Sequence, residues 1–142
     1  MPACPLCDTA GGTVLWCDDS CRVVLADEPD YPGFLRVILG AHVKEMTDLA
    51  PADQQHLLQV VLASEATLRE VLAPDKVNLA SLGNVVPHLH WHVIPRFADD
   101  PHFPNPVWGA RKRDIPHAVP ADAGERLAAA LTRRLGRARE TG

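Results

Sequence analysis

Three histidines alternate with apolar residues in one short run of this chain: His88, His90 and His92. In an extended strand, successive side chains point to opposite faces of the sheet. A strand over this run therefore places the imidazoles in a row on one face, roughly 6.6 Å apart at about 3.3 Å per residue, with Leu89 and Trp91 in the core. Such a row suits a metal ion or an extended anionic group. Imidazole also suits nucleophilic and proton-transfer chemistry near neutral pH, so we expect the chemistry of the protein here.

The length of 142 residues and the ordinary apolar and charged fractions are typical of one globular domain. The net charge of -4 provides no general electrostatic attraction for nucleic acid, so no nucleic-acid partner is expected. No apolar run approaches the roughly 20 residues of a membrane-spanning helix, so no membrane partner is expected. The first residues lack the basic and apolar regions of a signal peptide, which predicts a cytoplasmic protein.

Apolar patterns predict five short strands and two helices. The strands are expected at residues 13–16, 22–26, 34–39, 77–82 and 86–94. Pro51 and Pro74 bound an amphipathic pattern that predicts a helix over residues 51–72. Strands separated by one central helix and joined mostly by short turns predict an α+β domain. Its antiparallel sheet of about five strands would have one face covered by helix and the other free for a ligand.

The last third of the chain gives weaker signals. Residues 97–118 contain four prolines and a glycine, and a loop this long in a small domain is usually functional or disordered. Trp108 and the basic run 111–113 could stack on a base and steer phosphates, but a solvated loop with one apolar anchor is the favoured interpretation. A final helix is predicted to begin near Asp122, whose carboxylate would cap it, with Glu125 completing a capping box.

All four cysteines lie in the first 21 residues. In a reducing compartment, a Cys-x-x-Cys pair is more often a metal or redox site than a disulfide. Cys4 and Cys7 have the spacing that lets two thiolates share one tetrahedral zinc ion. A closed site needs two further ligands, and the residues alone leave two pairs open besides the absence of any metal: Cys17 with Cys21, or His42 with His88.

The run from His88 to Ile94 resembles the His-φ-His-φ-His-φ-φ signature of the histidine triad (HIT) superfamily, in which φ is apolar, and Pro95-Arg96 extends the likeness. Residues 33–42 are similar to the second strand of the family and the turn that follows it. The resemblance covers residues 4–96. It implies a single HIT-like domain over residues 1–142, with a core at 4–96, a loop at 97–118, and a C-terminal helix and tail at 119–142.

The family's enzymes are nucleotidyl hydrolases and transferases that act at the α-phosphorus of a nucleoside phosphate. By this resemblance His90 is the nucleophile, and it forms a nucleotidyl-imidazolium intermediate that water or another acceptor resolves. His92, the next residue on the same face, would donate to the phosphate oxygens. A backbone carbonyl or another acceptor is needed to fix the tautomer of His90.

The resemblance also implies substrate contacts. Asn84 stands where many relatives carry Gln in a Gly-Gln pair, but Val85 replaces the Ser or Thr that often follows, so that hydroxyl contact is missing. Asp27 corresponds to an acidic residue that accepts from ribose hydroxyls in relatives. The correspondence through residues 27–30 allows a shift of one residue. A solvated turn residue without a ligand is the equal alternative for Asp27. Asn78 is a further candidate contact, with an ordinary strand residue as its alternative, and His88 completes the set.

Bacterial HIT relatives and the related uridylyltransferases combine an N-terminal Cys-x-x-Cys with a histidine after the second strand and with the first histidine of the triad. The resemblance therefore favours a structural zinc ion over no metal, with a four-cysteine site as the third alternative. The implied ligands are Cys4, Cys7, His42 and His88. Under this interpretation Cys17 and Cys21 are free thiols without a function.

The function implied by the resemblance is hydrolysis of a nucleotide at its α-phosphorus. The leading substrate classes are dinucleoside polyphosphates and nucleoside phosphoramidates. A nucleotidyltransferase and a purine-nucleotide binding module with negligible turnover are the alternatives, because a fold by itself does not separate them. The resemblance also implies a homodimer.

Overall fold

Five strands form one antiparallel sheet in the computed structural model, which describes residues 3–139. The strands are β1 (Thr13–Cys17), β2 (Cys21–Leu25), β3 (Leu35–Leu39), β4 (Lys76–Ala80) and β5 (His90–Arg96), and their spatial order is β1-β2-β3-β5-β4. The helices are α1 (Pro5–Asp8), α2 (Pro51–Leu72) and α3 (Ala123–Leu135), and a 3-10 turn spans Met46–Asp48. The predicted α+β fold is confirmed.

The central helix has the bounds that its sequence predicts. Pro51 occupies the first turn, where its missing amide donor costs nothing. Leu57, Val61 and Leu68 form an apolar stripe of this helix, at spacings of four and seven residues, and all three are buried in the core shared with the sheet. Ala73 ends the helix in the left-handed conformation, and its amide donates to the Arg69 carbonyl. Across residues 3–139, every helix is too short or too polar to cross a membrane.

The strand that carries the histidines begins at His90, so the prediction of a strand over residues 86–94 is wrong at its start. Pro87 has no amide to donate to a sheet ladder. Leu89 donates to the Val43 carbonyl instead, and it accepts from the Leu39 amide. Residues 81–89 therefore form an irregular connection, and His88 lies outside the strand.

Alternation along the strands gives the sheet two different faces. Helices α2 and α3 cover one face, because α2 packs on β3, β4 and β5 while α3 packs on α2 and β1. The core between them contains Val23, Leu35, Val37, Val93, Leu57, Leu68, Leu127 and Leu131. The opposite face, which we call the open face, carries the alternate residues of β3 and β5.

The C-terminal helix begins after Asp122, as predicted, but the capping box is wrong. Asp122 has backbone angles of φ -92° and ψ 15°, and its side chain makes no capping hydrogen bond. An N-cap normally adopts extended angles that turn its carboxylate back to the first free amides. Arg133 and Arg134 at the other end of the helix pair with Glu70 of α2. The last part of the predicted tail, residues 140–142, lies outside the described residues.

The long segment 97–118 is ordered by a buried ion pair at its start. The Arg96 guanidinium donates to the Asp100 carboxylate from Nε at 2.8 Å, and to the Asn105 carbonyl from Nη2 at 2.6 Å. The same carboxylate accepts from the Phe97, His102 and Phe103 amides. Both charged residues are buried. One carboxylate thus organises the turn that folds this segment over the open face.

Replacing Asp100 by alanine is expected to lower the free energy of unfolding by about 3–5 kcal/mol, because Arg96 would remain buried without its partner. Urea unfolding followed by circular dichroism measures the loss. The matched control is Asp19→Ala, which removes an ion pair with Arg139 from a side chain that is 90% exposed. That variant should change stability by no more than about 0.5 kcal/mol. Equal losses in the two variants would show that the Asp100 network does not hold the segment.

Candidate active site

Two of the three histidines lie side by side on the open face of the sheet. His90 stands opposite Ile38 of β3, and His92 stands opposite Arg36. The two imidazole rings are 5.1 Å apart between centroids, with planes at 86°. Both rings are therefore close enough to contact one group bound on the open face.

A backbone carbonyl fixes the tautomer of His90. Its Nδ1 lies 2.6 Å from the carbonyl oxygen of His88, which can only accept. Nδ1 must therefore carry the proton, and the lone pair of the ring resides on Nε2. This is the acceptor that the sequence analysis requires for a nucleophilic imidazole. The irregular backbone before β5 supplies it, since His88 is outside the strand.

His92 is held in its neutral form. Burial lowers the pKa of His92 to about 4, and the neighbouring His90 and Arg36 act in the same direction. The rings of Phe34 and Trp108 meet it edge-on, each at a centroid distance of 5.6 Å. Its Nδ1 is buried and makes no hydrogen bond among the described residues. A neutral imidazole beside His90 can donate one hydrogen bond to a ligand without carrying a charge.

This environment makes stability depend on pH. The pKa of His92 falls from an ordinary 6.5 to about 4 on folding, so the unfolded chain binds the proton more tightly. The free energy of unfolding therefore has its full value with respect to His92 above pH 6.5, and it decreases as the pH falls from 6.5 toward 4. Between pH 7.5 and pH 5, we expect His92→Gln to lose about 2 kcal/mol less unfolding free energy than the wild type. Urea unfolding at both pH values measures this difference, and identical losses would contradict the desolvated state of His92.

The first histidine of the run does not share the open face, so the predicted row of three imidazoles is wrong. His88 is buried, and its Nε2 donates to the Leu39 carbonyl at 2.6 Å. Its Nδ1 faces the sulfur atoms of Cys4 at 3.5 Å and Cys7 at 3.4 Å. Both ring nitrogens are thus engaged away from His90 and His92. A substrate contact by His88 stays a prediction that this orientation does not favour.

Four side chains converge at the N-terminus in a geometry that suits one metal ion. Cys4, Cys7, His42 and His88 each offer a ligand atom, and these atoms all lie within 4.8 Å of one another. Cys7 Sγ is also 3.4 Å from His42 Nδ1. A tetrahedral zinc ion, with Zn–S near 2.3 Å and Zn–N near 2.0 Å, separates sulfur and nitrogen ligands by about 3.5 Å. The donor types, their spacing and the free lone pair of His88 Nδ1 therefore fit zinc.

The other two cysteines lie apart from this cluster. Cys17 donates from its thiol to the Arg139 carbonyl at 3.3 Å. Cys21 is buried, and burial with the nearby Asp18 raises the pKa of its thiol to about 12. A thiol that resists ionisation is a poor metal ligand and a poor nucleophile. The geometry thus favours the ligand set with two histidines over the four-cysteine alternative.

Two arginines on the open face are site residues that the sequence analysis missed. Arg22 donates to the carbonyls of Leu6, Thr9 and Ala10, and so fastens the N-terminal segment to the sheet. Arg36 pairs with Glu28 at 3.1 Å. Each is the single charged residue inside an otherwise apolar strand. A lone charged residue within an apolar strand is the sequence feature that could have identified both arginines.

The remaining predicted contacts fall in different places. Asn84 is exposed in the connection before β5, whose Ser81 hydroxyl donates to the His90 carbonyl. Asn78 lies on the open face, but its amide oxygen accepts from Arg96 at 2.8 Å. Asp27 is exposed and lines a shallow cleft near the start of α3. Glu28, the next acidic residue, reaches Arg36 instead. Substrate contacts by Asn84, Asn78 and Asp27 therefore stay predictions.

Comparisons with known proteins match this chain to one family. The HIT domain family profile matches residues 9–99. A solved histidine triad protein from Sinorhizobium meliloti is 31% identical, with a TM-score of 0.70, over 89% of this chain and 91% of its own. A Zn-bound histidine triad family protein from Mycobacterium smegmatis is 24% identical, with a TM-score of 0.67, over 92% of this chain and 94% of its own.

A curated relative, the AP-4-A phosphorylase of Mycobacterium tuberculosis, is 27% identical over 89 residues. Those residues are 58% of this chain and 46% of the relative. The match thus spans about half the length of that protein, and the name describes the longer protein.

Proposed function

The chain belongs to the histidine triad (HIT) family, and we propose that it is an enzyme that cleaves nucleotides at the α-phosphorus through a covalent nucleotidyl-His90 intermediate. The observation that carries this proposal is the contact between His90 Nδ1 and the His88 carbonyl at 2.6 Å. In the neutral form of His90, this contact keeps the proton on Nδ1 and the lone pair on Nε2, on the open face and beside the imidazole of His92. That is the arrangement a nitrogen nucleophile needs.

The reaction has two displacements at phosphorus. In the first, the lone pair of His90 Nε2 attacks the α-phosphorus, and the bond to the leaving group breaks. Its electron pair goes to the phosphate oxygen of a polyphosphate, or to the nitrogen of a phosphoramidate, which takes up a proton and leaves as an amine. In the second, a water oxygen attacks the same phosphorus and the phosphorus–nitrogen bond breaks. The electron pair returns to Nε2, the proton of the water passes to solvent, and a nucleoside monophosphate leaves. Nδ1 keeps its proton and its contact with the His88 carbonyl throughout.

His92 fits the role of a donor to the phosphate oxygens. Its low pKa keeps it neutral, so one ring nitrogen carries a proton while the other does not. Its ring lies 5.1 Å from that of His90, which places both near one phosphate group. A donor aimed at charge that develops in the transition state is worth more in a partly dehydrated site than in water.

Dinucleoside polyphosphates and nucleoside phosphoramidates are the proposed substrate classes. Transfer to an acceptor other than water is the second candidate, because the Mycobacterium tuberculosis relative is named a phosphorylase. Diadenosine tetraphosphate separates the two. Attack of water on the adenylyl intermediate yields AMP and ATP, whereas attack of inorganic phosphate yields ADP and ATP. Chromatography of the products with and without added phosphate identifies the acceptor, and no turnover with tight AMP binding would support a binding module instead.

We further propose that the N-terminal cluster holds a structural zinc ion. Cys4, Cys7, His42 and His88 would supply four protein ligands, which leaves no position for a catalytic water. When bound, zinc would join the segments of the chain that carry these ligands and would take no part in the reaction of the substrate. The likeness to the Zn-bound Mycobacterium smegmatis protein is one of fold, so the support comes from the distances in this chain.

A homodimer is the proposed assembly. Strand β4 is an edge of the sheet, and Leu79 and Leu82 at or just after this edge are exposed apolar residues. An unpaired edge with apolar side chains favours pairing with another strand. Light scattering is expected to give a dimer mass for the wild type and a monomer mass for Leu79→Lys. Ile115→Lys, at an exposed position in segment 97–118, is the control that should remain dimeric. A monomeric wild type would contradict the assembly.

A further inference from the structure

One large aromatic side chain stands exposed at the margin of the site. Trp108 is 57% exposed, whereas Trp16 in the core is 3% exposed. The indole ring lies 5.6 Å from the ring of His92 between centroids, with planes at 69°. The two rings are therefore steeply inclined to each other, and more than half of the Trp108 residue surface is open to a ligand bound beside His92.

The backbone on both sides holds the indole in this position. Val107 packs against the cluster of Ala26, Tyr31, Phe34 and Ile94 on the open face. The Gly109 amide donates to the Pro106 carbonyl at 2.8 Å, and the Asn105 side chain donates to the Ala110 carbonyl at 3.0 Å. Since Arg96 in turn binds the Asn105 carbonyl, the buried ion pair fixes the turn that carries Trp108. An ordered, exposed indole is available for stacking without further ordering cost.

The same side of the histidine pair carries other planar groups. Phe34 meets His92 at 5.6 Å, and the Arg36 guanidinium lies 5.2 Å from the Phe34 ring centroid. Glu28 fixes that guanidinium through its carboxylate. Along β5, these planar groups lie beyond His92, on the side away from the buried His88 and the neighbouring thiols of Cys4 and Cys7. The base of a nucleotide whose α-phosphate lies at His90 and His92 would thus extend past His92 toward Trp108.

We propose that Trp108 is a specificity-determining residue that stacks on the base of the bound nucleotide and favours purines over pyrimidines. This inference rests on the proposed function, because it assumes a phosphate at His90 and His92. Stacking strength grows with the area of the ring system, which gives the two-ring purines the advantage.

The test compares two phosphate ligands that differ only in the base. Isothermal titration of the purified wild type with AMP and with ribose 5-phosphate measures the contribution of adenine. In Trp108→Ala, the affinity for AMP is expected to fall on the order of ten-fold, while that for ribose 5-phosphate changes less than about two-fold. Trp108→Phe should recover part of the loss. Ile115→Ala, at a position 78% exposed in the same segment, should bind both ligands as the wild type does.

The outcomes distinguish this inference from the proposed function. Unchanged AMP affinity in Trp108→Ala, or equal losses for AMP and ribose 5-phosphate, would overturn the stacking role while leaving the His90 mechanism intact. A preference of the wild type for UMP over AMP would overturn the purine assignment. If the wild type binds neither nucleotide, both the inference and the proposed function fail. A shift from dimer to monomer in Trp108→Ala, with AMP affinity unchanged, would assign the indole to a contact between chains.

Discussion

Replacing His90 by alanine is expected to reduce kcat/KM for diadenosine tetraphosphate on the order of 10³-fold or more, because the variant has no atom to form the covalent intermediate. Solvent water would have to attack the α-phosphorus directly. A continuous assay of AMP or ATP release, run at equal protein concentrations, measures the loss. His90→Asn should be equally inactive, since an amide nitrogen has no free lone pair for attack.

The His90 variants should still fold, so that a loss of activity can be assigned to the missing imidazole and not to unfolding. His90 is only partly buried, and among residues 3–139 its side chain makes one hydrogen bond, with a backbone carbonyl. Unfolding free energies within about 1 kcal/mol of the wild type are therefore expected, together with retained binding of AMP. His56→Asn is the matched control, because His56 pairs with Asp18 from helix α2 and lies outside the site. Near-normal activity in His90→Ala would show that another group attacks the phosphorus.

Removing both thiols of the N-terminal cluster is expected to release the metal. The wild type purified without chelator should contain about one zinc ion per chain by elemental analysis, and the variant with Cys4→Ser and Cys7→Ser should contain almost none. Loss of the ion should also lower the free energy of unfolding by at least about 2 kcal/mol, because four ligands no longer join three segments of the chain. Thermal and urea unfolding measure this second effect.

The matched control for the metal is Cys17→Ser, which removes a thiol from outside the cluster. Its zinc content should equal that of the wild type. The double variant should also lose part of its activity, since the His88 backbone that holds His90 Nδ1 is anchored by the cluster. Full zinc content in the double variant would contradict the proposed ligand set, and a metal-free wild type would contradict the zinc site altogether.

Much of the fold follows from local patterns in the sequence. The apolar stripe of α2 and the prolines near its ends fix that helix to the residue. The strands are short apolar runs between clear turn residues, and four of the five were predicted within two residues at each end. These features are local: periodicity and breakers act over a few residues, so no knowledge of the tertiary structure is needed.

The errors share a different cause, because they depend on contacts between distant segments. His88 leaves the strand since Leu89 pairs with Val43, and its ring turns to thiols 81 and 84 residues away. A sequence pattern does not report such long-range choices.

The arrangement of the candidate site was only partly predictable from the sequence. The alternation of His90 and His92 suffices to place two imidazoles on one face. The partner of His90, the neutral state of His92 and the approach of Trp108 depend on how residues 81–89 and 97–118 fold. Glu28 rather than Asp27 contacts Arg36 on the open face, which depends on how the loop before β3 folds.

Trapping the intermediate tests the central claim most directly. Wild-type protein is mixed with diadenosine tetraphosphate for a few milliseconds and quenched in alkali, because phosphorus–nitrogen bonds to histidine survive alkali and hydrolyse in acid. Mass spectrometry of the peptides then locates any adduct. We predict an adenylyl group on the peptide that contains His90, absent in His90→Asn and present in His56→Asn. Rapid AMP release without a covalent adduct, or an adduct on another residue, would contradict nucleophilic catalysis by His90.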